Sequence, residues 1–144
     1  MGKLRVAAIV LFGFATAAVP ALAHHAFTAE FDNTKSMTVT GVVSRVEWQN
    51  PHIWFYLDVK EEDGSVTNWG FETASPNHLR NQDAQLRQDF LSNIGKTMTV
   101  TAYPAKGFAH KASASSVKFA TGKILRLGGG ENSAPDEKNS KSAY

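Results

Sequence analysis

The chain has 144 residues, of which 15 are Lys or Arg, 13 are Asp or Glu and none is Cys. This length suits a single domain, and the absence of Cys excludes a disulfide framework, a thiolate metal site and a Cys nucleophile. A hydrophobic content of 42% is enough to build a core and excludes disorder across the middle of the chain.

Residues 1–23 have the pattern of a secretory signal peptide. Lys3 and Arg5 provide a positive start, an apolar stretch follows, and Ala21–Ala23 supplies the small residues of a cleavage site. An uncleaved anchor is the alternative, because Val6–Ala23 carries no charge over 18 residues, near the lower limit for a bilayer span. We predict cleavage, which gives a periplasmic or secreted protein that begins at His24 and has no membrane span.

Charge limits the partners of the mature chain. Without Lys3 and Arg5, the 15 basic residues fall to 13, which equals the number of acidic residues. A neutral chain lacks the excess positive charge that general binding to polyanions requires. The composition therefore argues against nucleic acid and anionic membranes as partners.

Three strands are predicted before any helix, at residues 38–48, 52–60 and 65–73, with a hairpin loop at 61–64. In the first strand the apolar residues switch from odd-numbered to even-numbered positions near Gly41. Such a switch indicates a bulge that bends the strand. The second strand alternates between apolar residues on one face and polar or aromatic residues on the other: Ile53, Phe55 and Leu57 against His52, Trp54 and Tyr56.

A helical connection and two further strands follow. Ser75–Pro76 is typical of a helix start, with a serine cap and a proline in the first turn. The helical region ends at Gly95, and strands are predicted at 96–103 and 113–119, with a short addition at 124–127. Residues 128–144 have almost no apolar content and are predicted to be a disordered tail.

This order of elements predicts an all-β fold with a short helical connection, a small five- to six-stranded OB-like barrel over residues 24–127. A bent first strand and a helix between the third and fourth strands are typical of the oligonucleotide/oligosaccharide-binding barrel. An open β-sandwich built from the same strands is the alternative.

Several short motifs resemble a family of exported bacterial domains of unknown function. They are the His24–Phe27 start, W-x-N-P-H-x-W at 48–54, N-W-G-F-E at 68–72 and S-P-N at 75–77. The resemblance covers residues 24–127 and departs from the family pattern at 80–88, which is longer here. It implies export and the fold, but no reaction, because the family has no established activity.

The histidines suggest a metal site. A chain that begins at His24 could chelate a metal through its α-amine and ring, with His25 beside it and His52 from the barrel completing the site. Nitrogen ligands favour copper, with zinc as its competitor. His78 and His110 are alternative partners. Equally, the amino-terminal pair could be solvated and His52 could simply fix its turn, since these spacings match no local ligand motif.

An aromatic face suggests a ligand-binding surface. His52, Trp54 and Tyr56 share one side of the second strand, and Asn68 and Glu72 could join them from the third. Such faces stack on sugars or bases, and polar neighbours fix the orientation. In the alternative, Phe27 and Phe31 cover both rings as a second small core.

Catalytic signals are weak, since the sequence has no G-x-S-x-G, phosphate loop or dinucleotide fingerprint. The sequence therefore favours a periplasmic binding or interaction module for a small molecule, glycan or protein. A copper-binding protein is the second hypothesis, and an enzyme the third.

Overall fold

The computed structural model describes residues 27–128. The predicted signal peptide, the His24–His25 pair and residues 129–144 of the predicted tail lie outside these residues. In chain order the elements are β1 (Met37–Glu47), β2 (Trp54–Lys60), β3 (Val66–Glu72), α1 (Pro76–Gln82), α2 (Leu86–Ser92), β4 (Thr97–Pro104), β5 (Lys111–Lys118) and β6 (Ile124–Arg126).

The strands form one closed barrel. β1 pairs antiparallel with both β2 and β4, while β3 pairs with β2 and β5 with β4. A parallel pairing of Gly70–Glu72 with Lys111–Ser113 joins β3 to β5 and closes the circle. β6 adds antiparallel to β5. This topology confirms the predicted OB-like barrel, and the closure between β3 and β5 excludes the open sandwich.

β1 is long and bent, as the parity change predicted. Residues 37–42 pair with β4 and residues 42–47 pair with β2, with a register shift in the second pairing between Val43 and Arg45. Ser44 is the extra residue, so the bulge lies three positions after Gly41. The backbone of β2 passes close to Gly41, because a Cβ built there would lie 2.6 Å from the carbonyl oxygen of Asp58. Only glycine permits this approach without displacing a strand.

Alternation places one face of each strand in the core. Ile53, Phe55 and Leu57 are fully buried, as the period-2 pattern predicted. The ring of Phe55 lies 5.4 Å from that of Phe71 and 5.2 Å from that of Phe90, so β2, β3 and α2 meet in one aromatic cluster. Aromatic pairs at this separation add to the stability gained from burial alone.

The helical connection consists of two short helices. Ser75 caps α1, its Oγ accepting a hydrogen bond from the amide of His78 at 3.3 Å, and Pro76 follows in the first turn as predicted. The polar stretch between Asn81 and Ala84 separates α1 from α2. Leu79 and Leu86 are each fully buried, so both helices are held by their apolar sides against the barrel.

The segment before β1 is held against the ends of β4 and β5. Residues 27–30 form a helical turn, and Phe31 is buried and bridges to Ala105. The ring of Phe27 lies 5.2 Å from that of Phe31 and 6.2 Å from that of Tyr103. Among the residues described, no helix has the length and apolar character needed to cross a membrane.

Candidate ligand-binding face

Strand register brings the predicted aromatic face together with residues from four strands. One row across the sheet runs Arg45, Tyr56, Gly70 and Lys111 on β1, β2, β3 and β5. The next row runs Glu47, Trp54, Glu72 and Ser113. We call the surface formed by Arg45, Glu47, Trp54, Tyr56, Gly70, Glu72 and Lys111 the outer face.

Two half-buried aromatic rings form the centre of the outer face. Trp54 and Tyr56 lie nearly parallel, with an interplanar angle of 25° and centroids 6.4 Å apart. Both rings lean over Gly70, where a Cβ would lie 3.3 Å from Cε1 of Tyr56 and 3.7 Å from Cζ3 of Trp54. The missing side chain at Gly70 therefore lets the rings rest against the backbone of β3.

A cation lies against each ring. The guanidinium carbon of Arg45 lies 3.9 Å from the ring centroid of Tyr56, and Nζ of Lys111 lies 5.2 Å from that of Trp54. Both distances are typical of cation–π contacts. Nζ of Lys111 also lies 5.7 Å from the ring centroid of Phe31, so one ammonium group is close to both Phe31 and Trp54. The ring of Phe27 contacts the rings of Phe31 and Tyr103.

Carboxylates balance these cations. Glu47 pairs with Arg45 at 3.2 Å and accepts a long hydrogen bond of 3.4 Å from the hydroxyl of Tyr56. Glu30 pairs with Lys111. The outer face therefore combines flat apolar rings, donors and acceptors without a strong excess of either charge, an arrangement suited to a polar ligand of low net charge.

Asn68 lies beside the outer face in a separate polar cluster. Its Nδ2 donates to Oγ of Ser44 at 3.0 Å and to Oδ1 of Asp58 at 2.6 Å. These bonds use both amide hydrogens, so Asn68 fixes the bulge of β1 against β2 and β3, and only its carbonyl oxygen is left to accept from a ligand.

His52 pairs with Glu72 through its Nδ1 atom. The side chain of His52 is 50% exposed, whereas that of Glu72 is 14% exposed. A carboxylate on one ring nitrogen orients an imidazole and leaves the other nitrogen, Nε2, as the one that can bind a metal or ligand. Two predicted site residues thus meet, since Glu72 was predicted at the ligand-binding face and His52 both at that face and in the metal site.

The other described histidines have different neighbours. His78 on α1 lies with Nε2 3.0 Å from Nε2 of Gln82. His110, in the connection before β5, has a φ of 57° and packs its ring edge-on against Trp69 at 5.2 Å. Within residues 27–128, no group of three or more His, Asp or Glu side chains is arranged to hold a metal. A complete site would need ligands from outside this range, as the hypothesis with His24 and His25 requires.

Sequence reasoning missed Arg45, Glu47, Gly70 and Lys111. The bulge at Ser44 changes which side of β1 faces outward, and Lys111 was assigned to a loop although β5 begins there. One signal was available, because Gly70 lies in the middle of a strand with Tyr56 as a plausible neighbour, and a glycine inside a strand often marks a close approach.

Comparison with known proteins gives one structural neighbour and a family. In structure the chain is similar to the mitochondrial single-stranded DNA binding protein Rim1 from S. cerevisiae, with 12% identity, 65% of this chain and 96% of that chain covered, and a TM-score of 0.42. No curated protein matches the sequence. Residues 12–115 match DUF6152, a family of unknown function, and the chain belongs to that family.

Proposed function

We propose that the protein is an exported binding module that holds a polar, ring-containing ligand of low net charge on its outer face, with a glycan as the best-fitting class. The parallel arrangement of Trp54 and Tyr56 over Gly70 carries this proposal. Flat rings fixed by the backbone provide a stacking surface that needs little reordering when a ligand binds.

The side chains against the rings of Tyr56 and Trp54 are those of Arg45 and Lys111, which are long and flexible. This arrangement is compatible with ligand entry. Arg45 is 59% exposed, and Phe108, whose ring lies 5.5 Å from Nζ of Lys111, is 65% exposed. Lys111 is already paired with Glu30, so a movement of its side chain away from the ring of Trp54 that keeps this ion pair leaves no charge unpaired. Glu47 and Glu72 then lie beside the rings as acceptors for hydroxyl groups.

Substitution of Trp54 tests this proposal. A panel of neutral oligosaccharides, including cellobiose, maltotriose and chitobiose, is titrated calorimetrically against the protein and against Trp54→Ala. Because stacking on one aromatic ring contributes about 1–3 kcal/mol, we expect Trp54→Ala to weaken binding by about tenfold or more while far-ultraviolet circular dichroism is unchanged.

Trp69→Phe is the matched control, since Trp69 packs on the core side of β3, against Phe71. This variant should bind as the original does. Failure of every oligosaccharide to bind would reject the glycan class, and unfolding of Trp54→Ala would show that Trp54 serves the core instead.

A copper site is the second candidate function, favoured by the pairing of His52 with Glu72. The ring of Phe27 rests against that of Tyr103 on β4. Tyr103 pairs with Ser113 on β5, and Ser113 pairs in turn with Glu72 on β3. Three extended residues span at most about 10 Å, roughly the width of two strand spacings. A mature chain that begins at His24 is therefore long enough to bring its α-amine and ring to Nε2 of His52.

Copper titration tests this second candidate on protein whose intact mass shows that it begins at His24. We expect one equivalent of Cu²⁺ to bind, with strong loss in His24→Ala and in His52→Ala. Glu72→Gln should weaken binding by about 10- to 100-fold, the usual cost of losing a carboxylate that orients a ligand histidine.

His78→Ala is the control and should leave copper binding unchanged, because His78 contacts Gln82 on α1. Equal copper affinity in all four variants, or no binding at all by the verified chain, would reject the site. Neither result bears on the oligosaccharide titration.

A further inference from the structure

A groove lies between the β1–β2 connection and the two helices, away from the outer face. Its volume is about 420 Å³, which is within the range of sites that hold small organic molecules. Trp48 and Asn50 line it from the connection, and Asn77, Arg80, Asp83 and Arg87 line it from the helical region.

The groove carries two guanidinium groups that no carboxylate neutralises. Arg80 donates to the neutral Oδ1 of Asn77 at 2.8 Å, and neither Arg80 nor Arg87 forms an ion pair within residues 27–128. Arginines without a carboxylate partner retain the planar set of donors that recognises carboxylates and phosphates in a bidentate manner.

The acidic residue in the groove is already paired. Lys123 lies 2.9 Å from Oδ2 of Asp83 and 2.7 Å from Oδ2 of Asp89. The hydrogen bond from Lys123 also lowers the pKa of the Asp83 carboxyl, so this group remains ionised and bound to Lys123. The charge that the groove offers to a ligand is therefore positive.

Trp48 gives the groove a fixed apolar wall. Its ring lies 5.8 Å from that of Phe90, one of the fully buried side chains of the core, and the indole is partly buried. An aromatic ring held by the core on one side can pack against a planar ligand on its open side with little loss of side-chain entropy.

We infer that this groove binds a small organic anion, a planar ring bearing a carboxylate or a phosphate, with the ring against Trp48 and the anionic group between Arg80 and Arg87. The groove shares no residue with the outer face, so the inference does not rest on the proposed function and can fail or succeed independently of it.

The test uses benzoate and phenyl phosphate as probes and benzyl alcohol as their uncharged counterpart. Each is titrated into the protein while the indole signals are followed by ¹H–¹⁵N NMR, with Trp48 assigned through Trp48→Phe. We expect one or both anions to shift the Trp48 signal in a saturable manner, and benzyl alcohol to leave it unchanged. A response to benzoate alone identifies a carboxylate ligand, and a response to phenyl phosphate alone identifies a phosphate ligand.

Arg80→Gln and Arg87→Gln should each weaken binding by about tenfold, because a hydrogen bond to a charged group contributes about 1.5–3 kcal/mol. Arg126→Gln is the matched control, since it removes an exposed arginine on β6 that does not line the groove. No saturable shift with either anion, equal affinity in all three variants, or equal affinity for inorganic phosphate and phenyl phosphate would each overturn the inference.

Discussion

Gly70 shows how one residue determines the shape of the outer face. It pairs with Tyr56 on one side and Lys111 on the other, and the rings of Trp54 and Tyr56 occupy the space above it. A larger residue would lift both rings away from β3 and towards solvent. The site thus depends on a residue that contributes no side chain to it.

Asp32, in the segment before β1, makes the stability of the fold depend on pH in the acid range. Hydrogen bonds from Thr34 and then from Lys35 lower the pKa of Asp32 from 3.8 to about 2, which favours the ionised carboxylate in the folded state. A lowered folded-state pKa gives stability that is complete above the unfolded pKa and is lost as the pH falls towards the folded value.

We therefore expect Asp32→Asn to have a lower melting temperature than the original protein at pH 6, with the difference shrinking between about pH 4 and pH 2. Thermal unfolding followed by circular dichroism over this range measures it. A difference that stays constant with pH would mean that Asp32 stabilises the fold through packing and not through its charge.

Single residues also mark the limit of sequence reasoning about the site. Trp54 and Tyr56 could be placed on one face because period-2 alternation needs only the strand itself. Arg45 and Lys111 could not, since each reaches the rings through the pairing of a different strand. The contact of His52 with Glu72 depends likewise on the path of the connection before β2, which no local pattern determines.

Among the elements, β1 is the one on which barrel closure depends most. Its two halves pair with different strands, and the change of partner occurs between Gly41 and the bulge at Ser44. Gly41 lets the strand pass closely over the backbone of β2. A side chain there has no flexible neighbour to displace, because the nearest atom is the carbonyl oxygen of Asp58 at 2.6 Å.

We expect Gly41→Ala to lower the free energy of unfolding by about 1–3 kcal/mol or more, the usual cost of an overpacked site. Urea unfolding followed by tryptophan fluorescence measures the change. Thr38→Ala, at an exposed position of the same strand, is the control and should alter stability by only a few tenths of this amount. Equal effects of the two substitutions would refute the role assigned to Gly41.

Strand and helix positions were largely predictable, because alternation, caps and breakers act locally. Ser75 and Pro76 start α1 as expected, and the polar residues that interrupted the helical pattern separate the two helices. The start of β5 at Lys111 was missed, since its first residues gain their regular structure from pairing with β3, 41 positions earlier in the chain.

At the scale of the whole molecule, we expect charge balance to restrict the partners of the protein more firmly than the fold does. If residues 1–23 are removed, 13 basic and 13 acidic residues remain, and we expect such a chain to have no long-range attraction for phosphate backbones. We expect no change in the fluorescence anisotropy of a labelled oligo-dT of about 20 nucleotides at physiological salt, where non-specific binding depends on released counterions.

A variant with Glu61, Glu62 and Asp63 all changed to Lys is the positive control, because it makes the exposed hairpin tip basic without touching the core. It should gain weak, salt-sensitive binding. Tight binding of oligo-dT by the unaltered protein would contradict the argument from charge and place a specific nucleic-acid site on the barrel.

The parallel closure between β3 and β5 involves only three residue pairs, and two of them contain Gly70 and Glu72. Under the proposed function, we therefore expect ligand binding at the outer face and the pairing of β3 with β5 to be thermodynamically linked. We expect a ligand that fixes Trp54 and Tyr56 over Gly70 to slow amide hydrogen exchange in the paired residues of β3 and β5. Conversely, we expect local opening of this pairing to favour release of the ligand.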